Sequence, residues 1–128
     1  MSISLTHPFI LSSASPRRKE LLLSLGLKFK IVPGHIDETY LEGESPRAHV
    51  RRLSQDKAAV IAARYPDALV LGADTIVVID GLILGKPKNK KQAREMLQQL
   101  QNRQHAVFTG FTLTCVNTRI SKTKVVRS

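Results

Sequence analysis

The sequence predicts an α/β domain, a mixed, twisted sheet flanked by helices, and three observations carry that prediction. Short apolar runs, Phe9 to Ser12, Phe29 to Val32 and Leu69 to Ala73, alternate with segments of helical period. A Ser-Pro pair signals a helix start twice, at Ser15-Pro16 and at Ser45-Pro46. Asp80-Gly81 separates the apolar segments Ile76 to Ile79 and Leu82 to Leu84, the pattern of a tight hairpin.

Each element follows in order. Ser15 caps a first helix, Pro16 takes its first position, and Gly26 stops it; Leu21, Leu22 and Leu25 are its expected buried face. Pro33 to Glu44 is a polar loop. The second helix runs from Pro46 to about Tyr65, where Pro66 ends it. Leu69 to Ala73 is a continuous apolar run, so a strand buried on both faces is expected. Asn89 caps a third helix, with Gln92 placed for a capping box and Ala93, Met96, Leu97 and Leu100 as the buried stripe. The β pattern returns from Gln104 to Thr114, and Lys122 to Val126 begins one more strand, whose edge nothing in the sequence covers. No repeat or linker divides the chain, so residues 1–128 read as a single domain.

Composition narrows the chemistry. The chain has 128 residues, 42% hydrophobic, enough for one core without disulfides. Its single cysteine, Cys115, cannot form an internal disulfide or a Cys-rich metal site, which fits a reducing compartment. No apolar run approaches the length of a membrane helix, and Met1 to Pro8 lacks the pattern of a signal peptide. A cytoplasmic protein that does not enter membranes is expected. Twenty Lys and Arg against ten Asp and Glu give +10, which favours a polyanionic partner.

Five places could meet such a partner. Ser12-Ser13-Ala14-Ser15-Pro16-Arg17-Arg18 sets small hydroxyl residues between a strand end and a helix start, where free N–H groups and the helix dipole suit phosphate. Arg17 and Arg18 add guanidinium forks; the same residues also describe an ordinary N-cap with two solvated arginines. Lys57 sits mid-stripe with Val50, Leu53 and Ile61, so it either snorkels or points an ammonium into a cleft. Asp74 interrupts two apolar runs, and a carboxylate there needs a cation, a hydrogen-bond network or a metal; a turn aspartate capping the Ile76 N–H is the alternative. Lys86, held extended by Pro87, projects from a strand end. Asp37-Glu38 could help hold a hard cation such as Mg²⁺, or stand solvated. The four histidines lack zinc-like spacing and read as non-ligands, and no Walker-type loop occurs.

Six blocks, taken together, resemble the Maf-like family. They are Leu11 through Arg18 with Glu20-Leu21-Leu22, Asp37-Glu38, Ser54 through Ala58, Gly72-Ala73-Asp74-Thr75, Gly85-Lys86-Pro87, and Arg103 through His105 to Thr109-Gly110. The resemblance implies a nucleotide pyrophosphatase that uses Mg²⁺ or another divalent cation and releases pyrophosphate from a nucleoside triphosphate. By that analogy Asp74 is the catalytic base and, with Glu38, the metal ligand. Ser13, Arg17, Arg18, Lys57, Thr75 and Lys86 are substrate-binding. Arg17 after Ser-Pro and Thr75 after Asp74 resemble the branch that acts on dTTP and UTP, a role in cleansing the nucleotide pool. The resemblance also implies a homodimer and a further C-terminal segment with an Asp-Lys-Ala-Gly-type motif, so these residues are expected to be the N-terminal portion of the family fold. Two alternatives stand beside it: an inactive truncated remnant, and a basic nucleic-acid-binding module. Aromatic residues at 5% and no tryptophan argue against stacking on nucleic acid, so no stable complex with it is expected.

Overall fold

The structure, a computed structural model, describes residues 8–13, 16–79, 81–84, 89–101 and 105–128. The Ser15 cap, Asp80 of the hairpin turn and Lys86 lie outside those residues. The chain order is β1 (Phe9–Leu11), α1 (Pro16–Ser24), β2 (Lys30–Ile31), α2 (Pro46–Arg64), β3 (Leu69–Ile79), β4 (Leu82–Leu84), α3 (Lys90–Gln101), β5 (His105–Cys115) and β6 (Ile120–Arg127). Six strands form one mixed sheet in the order β2-β1-β3-β5-β6, with β4 also paired to β3. β1 is parallel to β2 and β3, and every later pairing is antiparallel.

The helix signals act as expected at two starts. Ser45 is extended and accepts a bond from the Ala48 N–H at 3.1 Å, with Pro46 inside the first turn. Asn89 Oδ1 accepts from the Gln92 N–H at 2.9 Å, opening α3. Gly26 at φ 75° and Gly81 at φ 79° take left-handed turns that a side chain would strain.

Five expectations change. Leu69 to Ala73 and Ile76 to Ile79 are not separate strands: β3 is continuous over 11 residues, and Asp74 sits mid-strand opposite Gly110 rather than in a turn. The ladder to β5 spans Val70 to Ile79 and carries Asp74 through without a break. Nor is β3 buried equally on both faces. Val70, Gly72, Asp74 and Ile76 are buried beneath α2, whereas on the opposite face Ala73 and Ile79 are buried, Leu69 and Leu71 are half-buried and Thr75 is exposed. Among the described side chains of α1 only Leu22 is buried; Leu21 is 61% exposed, and Leu25 just beyond the helix is 46% exposed. In α3 the described part of the expected stripe is not buried: Leu97 is exposed and Ala93 and Met96 are half-buried, while the Leu100 side chain lies outside the described residues. Phe29 to Val32 contracts to the two-residue β2.

α2 organises the core. Towards its C-terminus Ala58, Ile61 and Ala62 pack with Ile10, Ala68 and Val70. Towards its N-terminus Val50 packs with Ile76, Ala106 and Phe108. Between these clusters the helix touches the sheet backbone. A Cβ at Gly110 would lie 2.3 Å from the Val50 carbonyl oxygen, and one at Gly72 2.5 Å from that of Ser54. Ser54 Oγ meets Thr112 Oγ1 at 2.8 Å, and Thr112 meets Thr123 at 2.9 Å, which satisfies these hydroxyls from helix to edge strand.

A polar anchor fixes the start of α2. Glu44 Oε2 accepts from Arg52 Nε at 2.7 Å, and Oε1 accepts from His49 Nδ1 at 2.9 Å. The Tyr40 ring lies 5.2 Å from the buried His49 ring. Chiefly through Arg52, the Glu44 carboxyl is held down at about 2.

Gly110→Ala is expected to lower stability by about 1–3 kcal/mol, because helix and strand backbones must part; urea denaturation measures it. Glu44→Gln is expected to cost about 1–3 kcal/mol at pH 7. Since the folded-state value is depressed, Glu44 contributes fully above its ordinary 4.5 and loses that contribution as pH falls towards about 2. The gap between variant and parent should therefore shrink across that window in denaturation at graded pH.

Candidate active site

The cleft begins as a gap in hydrogen bonding along one edge of β3. On one side β5 pairs it from Val70 to Ile79. On the other, β1 pairs it at Leu69–Leu71 and β4 at Val77–Ile79, which leaves residues 72–76 without a strand neighbour among the described residues. The chain leaves β1 at this gap, with the Ser12 N–H donating to Leu71 O at 2.9 Å. A cavity of about 830 Å³ opens there, in the size range of small-molecule sites. Its lining includes Ser12, Ser13, Arg18, Glu38, Lys57, Asp74, Thr75 and Thr109.

Asp74 is 4% exposed. Its Oδ1 accepts from Lys57 Nζ at 2.9 Å, while Oδ2 is buried with no hydrogen-bond partner among the described residues. Lys57 also pairs with Glu38 Oε1 at 2.7 Å. Burial alone would lower the Lys57 pKa, but the hydrogen bonds and charges of Glu38 and Asp74 outweigh it and raise the pKa, so the side chain stays an ammonium. Arg18 donates from Nη1 to Ser13 Oγ at 2.8 Å and from Nη2 to Thr75 Oγ1 at 2.7 Å. Thr75 and Thr109 hydroxyls meet at 3.2 Å. Burial lowers the Arg18 pKa against the pull of Asp74, yet a guanidinium remains charged at any physiological pH. Lys57 thus points into the cleft rather than snorkelling.

Of the residues singled out from sequence, Ser13, Arg18, Glu38, Lys57, Asp74 and Thr75 line this one cleft. Arg17 lies in the first turn of α1, and Lys86 lies outside the described residues. Asp37 turns away from Glu38: its Oδ1 accepts from the backbone N–H of Thr39 at 2.9 Å and from the Thr39 hydroxyl, closing a local turn. Sequence reasoning missed Leu21, Pro33, Gly34, His35, Ile36 and Phe111 as cleft residues. Gly34 alone carried a signal, as a glycine in a polar loop; a Cβ there would lie 2.6 Å from Lys57 O.

A sequence profile of the Maf-like protein family matches residues 8–128. This chain belongs to the Maf-like family. It is 56% identical over 124 residues to a dTTP/UTP pyrophosphatase of Syntrophus aciditrophicus (strain SB), covering 97% of this chain and 60% of that protein. It is 49% identical over 104 residues to a dTTP/UTP pyrophosphatase of Clostridioides difficile (strain 630), covering 81% and 54%. A third dTTP/UTP pyrophosphatase, from Koribacter versatilis (strain Ellin345), is 43% identical over 118 residues, covering 92% and 61%. The chain thus spans 54–61% of the length of these relatives.

Two carboxylates of the cleft could hold a hard cation that keeps part of its water shell. Mg²⁺ is commonly held by one or two carboxylates plus substrate oxygens. Glu38 and Asp74 supply two carboxylates, and Asp74 Oδ2 is a buried oxygen lacking a donor. Among the described residues no group of three or more His, Cys, Asp and Glu gathers into a protein-only metal cage. No described helix of this Maf-like chain is long and apolar enough to cross a membrane.

Lys57→Met should leave Asp74 buried without its cation and destabilise the fold by about 3 kcal/mol at pH 7. Adding Asp74→Asn to that variant should restore part of the loss. A double-mutant cycle by urea denaturation measures the coupling, and additive effects would mean that the pair contributes nothing.

Proposed function

We propose that this Maf-like chain hydrolyses a nucleoside triphosphate between its α- and β-phosphates, releasing pyrophosphate and a nucleoside monophosphate. dTTP or UTP is the proposed substrate, since the relatives carry that name and share 43–56% identity with the chain. The observation that carries the reading is Asp74 Oδ2, an unpartnered buried carboxylate oxygen in a cleft shared with Lys57 and Arg18. The cytoplasm and a homodimer belong to the same proposal.

In the proposed mechanism Lys57 holds Asp74 by Oδ1 and so orients Oδ2 towards the cleft. Oδ2 takes a proton from water as the water oxygen bonds to the α-phosphorus and the bond to the α,β-bridging oxygen breaks, with its electrons leaving on pyrophosphate. Arg18, Lys57 and the Ser13 and Thr75 hydroxyls neutralise and orient phosphate oxygens, with Arg17 and Lys86 proposed to assist. A divalent cation such as Mg²⁺, held by Glu38 and Asp74, would supply Lewis-acid polarisation of the phosphate when bound.

Pyrophosphate release from dTTP and UTP with Mg²⁺ tests the reading. Asp74→Asn is expected to lower kcat about 10²–10⁴-fold. Absence of release from the folded parent chain, or undiminished release by the variant, would overturn it.

A further inference from the structure

We infer that Phe111 and Leu21 form the two walls of a nucleobase slot, so that the cleft recognises the heterocycle by stacking at a fixed distance from the phosphate-facing residues. The inference rests on the pyrophosphatase reading and extends it to how the base is held. It starts from an unexplained exposure: Leu21 is 61% exposed on a helix whose next residue is buried, yet it lines the cleft. Phe111 is half-buried and lines the same cleft.

The topology sets these two side chains on the same side of a polar anchor. Arg18 on α1 bonds Thr75 on β3, and Thr75 meets Thr109 on β5, which ties the three elements at one level. Leu21 lies three residues beyond Arg18, on the same helix face and about 4.5 Å further along the axis. Phe111 lies two residues beyond Thr109, on the same strand face and about 7 Å further on. α1 connects the parallel strands β1 and β2, so it runs back against them; β5 is antiparallel to β3, which is parallel to β1. The helix and β5 therefore run in the same sense. Each wall passes from hydrogen-bonding groups to an apolar side chain in the same direction.

The floor between them is low. The cross-strand partner of Phe111 on β3 is Ala73, whose single methyl can cover less of a neighbouring ring than a longer side chain would. An aromatic face and an aliphatic side chain accept a planar heterocycle by its π-faces. The phosphates would then extend towards Arg18, Lys57 and Asp74, and the sugar would span the step between the two ends.

Calorimetry with an α,β-methylene-linked nucleoside triphosphate and with inorganic tripolyphosphate, both with Mg²⁺, tests the slot without turnover. Phe111→Ala should weaken the nucleotide analogue about tenfold or more and leave tripolyphosphate unchanged, with Phe111→Tyr restoring the analogue. Leu21→Ser, at an exposed position that leaves the fold intact, should weaken the analogue alone. Equal weakening of both ligands by Phe111→Ala, or no weakening of the analogue, would overturn the slot. A parent chain that binds the analogue with this pattern but releases no pyrophosphate from dTTP or UTP would sink the catalytic reading and leave the slot standing. Failure of the parent to bind the analogue would overturn both.

Discussion

The close approach of α2 to the sheet at Gly72 and Gly110 is the constraint on which the rest depends. Two helix carbonyls stand where a Cβ would have to be, so helix and strand backbones are in direct contact at that point. The contact fixes both the height of the helix above the sheet and its position along it. Lys57 is three residues beyond Ser54 on α2, and Asp74 is two beyond Gly72 on β3. Their 2.9 Å ion pair is a consequence of where the backbones touch. Gly34 repeats the arrangement from the other side, bringing the loop that carries Glu38 against Lys57 O.

The same geometry divides the core. Apolar clusters lie at either end of α2, and the middle is given to Ser54, Thr112, Lys57 and Asp74. A polar strip through a core is costly unless every group is matched. Here the hydroxyls of Ser54, Thr112 and Thr123 satisfy one another, and Lys57 answers Asp74 and Glu38. Asp74 Oδ2 alone lacks a partner among the described residues. That exception falls where β3 loses its outer neighbour, so the site and the gap in the sheet arise together. Short β1 and β4 pair at either end of β3, and their brevity is what opens the cleft.

Electrostatics then act at short range. The chain carries +10 overall, but the cleft is not simply basic: two carboxylates are interleaved with Lys57 and Arg18. Such a set can hold phosphate oxygens and a proton acceptor within one small volume, which a uniformly positive patch cannot. Glu44, His49 and Arg52 form a separate polar cluster that fixes the start of α2 and thereby the register of the helix over the sheet.

By itself the sequence determined the element types, the Ser45-Pro46 and Asn89 helix starts, and five of the cleft residues, Ser13, Arg18, Glu38, Lys57 and Asp74, through local signatures. Thr75 was legible only through the family resemblance. Ser-Pro and Asn mark helix starts by local hydrogen bonding, and a charge in an apolar run, as at Lys57 and Asp74, must be answered somewhere. Local signals also misled. The apolar leucines of α1 and α3 read as buried faces, yet burial depends on what lies opposite. Asp74 read as a break between strands, whereas the ladder to β5 carries it through. Only the tertiary structure decided that Lys57 meets Asp74 and Glu38, that Arg18 reaches Thr75, and that Leu21 and Phe111 share a cleft, since these pairs are brought together by strand order and by the depth of helix packing, and neither quantity is written in any window of neighbouring residues.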